Sequence, residues 1–158
     1  MLLQELFTSA RMKIPLESED KAEVFEELVD LMVRSYDLSC RDAILAAIEE
    51  REAKMSTGIK TGIAVPHGRT DALSRMIGAV GVSRQGIDYD ALDGQPVKLV
   101  FMLVGSGKDS ELHLTMLRKL ARLIEFPRFC EEMLAADGPE KAYSLLRSFE
   151  DMALAGDA

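Results

Sequence analysis

The stretch Val97-Lys98-Leu99-Val100-Phe101-Met102-Leu103-Val104 decides the fold. Side chains along a strand alternate between its two faces, and from Leu99 onward both faces are apolar. A strand with one wet face would interleave polar residues, so this one calls for cover on each side, as a central strand between helices has. The apolar run is far shorter than the ~18–20 residues of a membrane-spanning helix. Upstream, residues 77–83 read as a second strand, separated from the first by turn-rich residues 86–96.

Helical patterns flank these strands. After a short predicted strand at residues 12–16, Ser18-Glu19-Asp20 supplies an N-cap and an acidic first turn. Phe25, Leu28, Val29 and Met32 follow at i, i+3, i+4 and i+7, the stripe of an amphipathic helix. Ser39 and Asp42 have capping-box spacing and open a second helix to about Met55, with Ile44, Ala47 and Ile48 on its apolar face. Residues 57–68 read as a loop that enters a short buried strand and ends at Pro66-His67-Gly68. Beyond the central strand and the loop Gly105-Ser106-Gly107-Lys108, Asp109 caps a helix to about Glu125. Pro127 starts a short helix, and Gly138-Pro139 separates it from a last one ending near Asp151. Strands with helices before and after them predict an α/β sandwich on a mixed sheet. No repeat or linker interrupts the chain, so residues 1–158 are expected to form one domain.

Composition narrows the function. The 158 residues carry 19 Lys and Arg against 27 Asp and Glu, a formal charge of −8. With a pI near 4.8, the chain lacks the basic surface that binds a phosphate backbone, so no nucleic-acid partner is expected. At 47% hydrophobic and 29% charged residues it is too apolar for disorder. The start, Met1-Leu2-Leu3-Gln4-Glu5-Leu6-Phe7, has no basic segment of the kind that opens a secretory signal. Two lone cysteines, Cys40 and Cys130, fit a reducing compartment, and the expected location is the cytoplasm, without membrane insertion.

Three residues could carry chemistry. His67 follows a short apolar strand and is fixed between Pro66, which restricts φ, and Gly68, which permits unusual φ. Strand ends are where open α/β proteins place their sites, although a turn on the surface would also accept such a histidine. His113 lies near the start of the helix capped by Asp109, where the positive end of the dipole favours a neutral ring. It also shares a stripe with Leu117, Leu120 and Ile124, which is compatible with simple packing. Arg51 falls i+3 from Ile48 and i+7 from Ile44, so it projects from the inward face and needs an anion, a polar cleft or a snorkelling route to solvent. Gly105-Ser106-Gly107-Lys108 is not a P-loop, because Met102 stands where a glycine is required and Asp109 replaces the magnesium-binding hydroxyl. Two histidines are too few for a zinc site, so neither metal nor cofactor is expected. Two histidines and an arginine suit a transferable anion, since phosphoryl transfer asks mainly for positioning and charge stabilisation.

Arg51-Glu52, Ser56-Thr57-Gly58-Ile59, Gly62-Ile63-Ala64-Val65-Pro66-His67-Gly68 and His113-Leu114 with Leu117, Leu120 and Ala121 resemble the IIA domain of the bacterial phosphotransferase system, over residues 6–149. The resemblance is to the fructose/mannitol class, which includes the nitrogen-regulatory IIA proteins. It implies a three-layer α/β/α sandwich and a phosphotransferase component. His67 would take a phosphoryl group from an HPr-like phosphocarrier protein, His113 would hydrogen-bond that group, and Arg51 would supply positive charge. Thr57, Gly58, Gly62 and Gly68 would shape the loop beside the site. Lys60 departs from the pattern, since the family usually has glycine there, and it either alters the loop or adds charge near the phosphate. The downstream partner implied is a regulatory target or a IIB domain. A freestanding chain of this length fits the nitrogen-regulatory branch, with a sugar-specific IIA as the alternative and a phosphorylation-independent binding module as a third reading. The −8 charge suits docking to a basic carrier surface.

Overall fold

The computed structural model describes residues 1–58 and 60–156; Ile59 of the quoted loop lies outside the described residues. In chain order the elements are α1 (Leu3–Leu6), a 3₁₀ turn (Ser9–Arg11), β1 (Met12–Lys13), α2 (Lys21–Tyr36), α3 (Arg41–Lys54), β2 (Ile63–Ala64) and β3 (His67–Thr70). They continue with β4 (Ile77–Ile87), β5 (Val97–Ser106), α4 (Ser110–Glu125), α5 (Phe129–Ala135) and α6 (Pro139–Ala155). The sheet runs β1-β4-β5, and the far edge of β5 is shared by β2 and β3 placed end to end. Strands β4 and β5 are antiparallel, while β1, β2 and β3 each pair in parallel, so the sheet is mixed.

The central strand is buried on both faces, as its composition requires. Leu99, Phe101 and Leu103 pack with α1, α4, α5 and α6; Val100, Met102 and Val104 pack on the opposite face with α2 and α3. Strand β4 divides the same way, Val80 and Val82 joining the first layer and Ile77, Ala79 and Ile87 the second. The result is the expected α/β/α sandwich. A register shift between Val82 and Ile87 carries β4 four residues past the predicted end at Ser83.

Local capping departs from the sequence reading in two places. Helix α2 is capped by Asp20, whose Oδ1 accepts from the Glu23 amide at 2.9 Å, and Ser18 instead donates its hydroxyl to Glu27 at 2.5 Å. Helix α3 has Cys40 at its N-cap and no side-chain cap, so the Ser39/Asp42 box does not form. Asp109 does cap α4, accepting from the Leu112 amide at 3.0 Å. Such a cap contributes about 1 kcal/mol and fixes where the first turn, and with it His113, begins.

Candidate active site

His67 opens β3, and this strand is the element that sequence reading took for a turn. Pairing His67 with Leu103 and Thr70 with Ser106 lays β3 along the central strand, with Val65 and Pro66 between it and β2. Gly68 is needed for a reason other than backbone freedom. Its φ is not left-handed; a Cβ there would sit 2.7 Å from the Ala47 carbonyl oxygen, so only glycine lets β3 lie this close to α3. Gly58 has the same role against Ala91, also at 2.7 Å. Gly62 is the conformational glycine of the loop, with φ +80.

That close contact brings the last turns of α3 beside His67. One cleft of about 350 Å³ is lined by Glu50, Arg51, Lys54, His67, Arg69 and His113, among others. The structure thus assembles Arg51, His67 and His113 from α3, β3 and α4. The two imidazole centroids are 5.6 Å apart with ring planes at 45°. Arg51 is half-buried, and its Nη1 donates to the Met55 carbonyl at 2.9 Å, which holds the guanidinium at the end of α3.

The two rings are held in defined tautomers. His67 Nδ1 lies 2.7 Å from the Val65 carbonyl oxygen. A carbonyl only accepts, so Nδ1 carries the proton and the Nε2 lone pair is left for the cleft. His113 is 8% exposed, its Nδ1 is buried without a partner, and a Cβ at Gly105 would sit 2.9 Å from that nitrogen. An unpaired buried N–H is costlier than an unpaired lone pair, so the proton belongs on Nε2, the nitrogen able to donate into the cleft. Burial, the neighbouring His67 and the Arg69 guanidinium push the His113 pKa down to about 4. Burial and, more weakly, Arg51 also lower His67, against the opposing pull of the Val65 hydrogen bond and of Glu52. Both rings are therefore neutral at pH 7.

Not every predicted loop residue faces the cleft. Thr57 is 2% exposed, and its hydroxyl donates to Glu52 Oε2 at 2.6 Å, away from the imidazoles. Lys60 needs no unusual φ; its ammonium reaches Glu125 Oε1 at 3.2 Å and the Ile124 carbonyl at 3.4 Å, at the C-terminal end of α4. It thereby crosses an apolar groove that adjoins His67, floored by Ile63, Val65, Leu117, Leu120 and Ile124. Arg69 was missed by sequence reading. Two residues beyond His67 on one strand, it shares the same face, but that inference required knowing that residues 67–70 are a strand. Among the described residues no group of three or more His, Cys, Asp or Glu comes together as a metal site.

Comparison with known proteins gives this arrangement its context. Residues 5–149 match the sequence profile of the phosphoenolpyruvate-dependent sugar phosphotransferase system, EIIA 2. The chain belongs to this EIIA family. It is 37% identical over 126 residues to the fructose-specific EIIA component of Haloferax volcanii, covering 80% of this chain and 82% of that one. It is 30% identical over 144 residues to a nitrogen regulatory protein of Pseudomonas aeruginosa, covering 91% and 94%. It also matches the fructose-specific EIIABC component of Bacillus subtilis at 33% identity over 150 residues, but spans only 24% of that longer protein. The crystal structure of the nitrogen regulatory protein IIA-Ntr from Neisseria meningitidis superposes with a TM-score of 0.83 at 29% identity, covering 91% of this EIIA chain and 98% of the other. The mannitol IIA of Escherichia coli, solved in complex with phosphorylated IIB, shares the fold with a TM-score of 0.76 at 16% identity. Among the described residues of this EIIA protein no helix is long and apolar enough to cross a membrane.

Proposed function

We propose that residues 1–158 act as one phosphohistidine carrier domain in the cytoplasm, with His67 the acceptor and an HPr-like phosphocarrier protein the donor. The observation that carries this reading is the 2.7 Å contact of His67 Nδ1 with the Val65 carbonyl, in a cleft that also bears Arg51, Arg69 and a neutral His113. In the transfer step the Nε2 lone pair of His67 forms the new N–P bond while the N–P bond to the donor imidazole breaks. The donor ring leaves with the electron pair. Positive charge that develops on the His67 ring is delocalised to Nδ1–H, where the Val65 carbonyl hydrogen bond strengthens as it becomes charge-assisted. The phosphoryl oxygens meet Arg51 and the Nε2–H of His113, fixed donors that suit a transition state whose charge is spread over three oxygens.

Downstream, the reading favours a regulatory target contacted differently before and after phosphorylation. The full-length likeness to the Pseudomonas and Neisseria nitrogen regulatory proteins supports it. The identity to the Haloferax fructose component supports delivery to a IIB domain as the second reading. The test is incubation with phosphoenolpyruvate and the general phosphotransferase proteins. Wild type should acquire one acid-labile, base-stable phosphoryl group, and His67→Ala should acquire none; equal incorporation by the variant refutes the assignment. Chase of the labelled protein with a fructose-type IIB then separates the branches, since a sugar IIA discharges to it and a regulator keeps its phosphate.

A further inference from the structure

Glu52 stands next to Arg51 on the last turns of α3 but turns the other way. Successive helical residues project about 100° apart, so one faces the cleft and the other the interior. The Glu52 side chain is 5% exposed, which would be costly for a carboxylate without partners. It is fully engaged. Oε1 accepts from the Thr57 amide at 2.9 Å and pairs with the Lys21 ammonium at 3.0 Å, while Oε2 accepts from the Thr57 hydroxyl at 2.6 Å and the Tyr89 hydroxyl at 3.4 Å. Thr57 and Tyr89 oxygens are themselves 2.9 Å apart. Lys21 opens α2 and lies 4.8 Å from the Tyr89 ring centroid, so α2, α3, the glycine loop and the chain after β4 all meet at this carboxylate.

The network does not stop at Thr57. The Thr57 carbonyl accepts from the Val65 amide at 3.0 Å, and the Val65 carbonyl accepts from His67 Nδ1 at 2.7 Å. A continuous series of hydrogen bonds therefore runs from a buried, fixed charge to the ring that carries the chemistry. We propose that Glu52 is a positioning residue: through Thr57 and Val65 it sets the tautomer and orientation of His67 so that Nε2 faces the cleft. The proposal rests on His67 being the phosphoryl acceptor. It also explains why Thr57 points away from the imidazoles: its two donors bind Glu52, and its carbonyl holds the strand that ends at His67.

A purely structural ion pair would lower stability and leave the imidazole as it is in the molecules that fold. Positioning predicts more. Glu52→Gln keeps the size of the side chain but cannot accept from both Thr57 groups and Lys21. Thr57→Val removes the hydroxyl and keeps the amide, which provides a second variant should Glu52→Gln not fold. Two readouts apply to the full chain. Ring ¹⁵N shifts of His67 should report one tautomer, protonated at Nδ1, in wild type and a mixture in both variants. Phosphoryl transfer from the phosphorylated carrier should slow about tenfold at saturating donor, the scale expected for a small misplacement of a reacting group, with KM for the donor within about twofold. Thr57→Ser should recover most of what Thr57→Val loses. Unchanged ¹⁵N shifts and transfer rate in folded variants overturn the proposal, as does a rise in KM with an unaltered maximal rate. If the tautomer shifts but wild-type protein takes its phosphate elsewhere than His67, the acceptor assignment falls, and Glu52 orients the His67 ring without positioning a phosphoryl acceptor.

Discussion

Gly68→Val tests how the fold sets the site. Valine is favoured in strands, so the substitution asks nothing unusual of β3 itself. The obstacle is α3. A Cβ at residue 68 would lie 2.7 Å from the Ala47 oxygen and 2.8 Å from its carbonyl carbon, whereas ordinary contact begins near 3.4 Å. Strand and helix must therefore part by about 0.7 Å for the Cβ alone, and further for the two methyl groups of valine. Neither neighbour yields easily, because the atoms met are helix backbone and β3 is tied to β5 from His67 to Thr70. Overpacking of this kind costs roughly 1–3 kcal/mol of stability.

The same separation is a functional change. Arg51 lies one helical turn beyond Ala47, and His67 is the residue before Gly68, so parting the two elements draws the guanidinium away from the imidazole. A displacement approaching 1 Å lowers a positioned reaction by about 10- to 100-fold. Urea unfolding and single-turnover phosphoryl transfer should therefore both be measured, with Gly68→Ala as the smaller step on the same scale. Transfer should fall in the order glycine, alanine, valine among fully folded samples. If Gly68→Val loses stability but the folded protein transfers at the wild-type rate, the α3–β3 spacing does not set the Arg51–His67 geometry and the reasoning fails.

Two further perturbations address the electrostatics. With the His113 pKa pushed down to about 4 in the folded protein, below the ~6.5 of an unfolded chain, the unfolded state binds the extra proton between those values and stability is lost as pH is lowered through that window. At about 1.4 kcal/mol per unit, wild type should lose about 2 kcal/mol more than His113→Gln between pH 7 and pH 5; parallel urea midpoints across that range would show that the ring is not held neutral by the fold. Lys60→Gly removes a half-exposed pair with Glu125, worth at most about 1 kcal/mol, so thermal stability should barely move. Because Lys60 crosses the apolar groove beside His67, its loss should instead change KM for the donor protein, and an unchanged KM would separate that groove from docking.

The parts of this protein legible in its sequence are those fixed by short-range pattern. The two-faced apolar run at Leu99–Val104 required helices on both sides of the sheet, and the two layers divide its residues by parity. Asp109 three residues before Leu112 marked the start of α4. Strand β3 was hidden because His67-Gly68-Arg69-Thr70 has little strand propensity. It is extended only because β5 offers an edge, a long-range fact. Arg69 was lost with it. Gly68 was misread for a related reason: it is small because Ala47 lies against it, as Ala91 lies against Gly58, and such proximity leaves no trace in local sequence. Glu52 was visible beside Arg51, but its role depends on Lys21, Thr57 and Tyr89, three partners from distant segments.

Net charge also changes meaning once it has a location. A total of −8 suggests a protein that would repel a phosphoryl dianion. Around His67, however, the cleft presents Arg51, Lys54 and Arg69 against Glu50. At physiological ionic strength charges are screened over roughly 8 Å, so a phosphoryl group at the imidazole responds to these cations and hardly to the acidic groove of Glu17, Glu23, Glu27 and Asp30 elsewhere on the surface. The two scales act on different objects. In the proposed transfer an acidic exterior would attract a basic carrier as a whole, and the cationic cleft would then receive the anion it delivers. Neutral histidines complete the arrangement, because a protonated His67 would bind the phosphoryl group well and could not attack it.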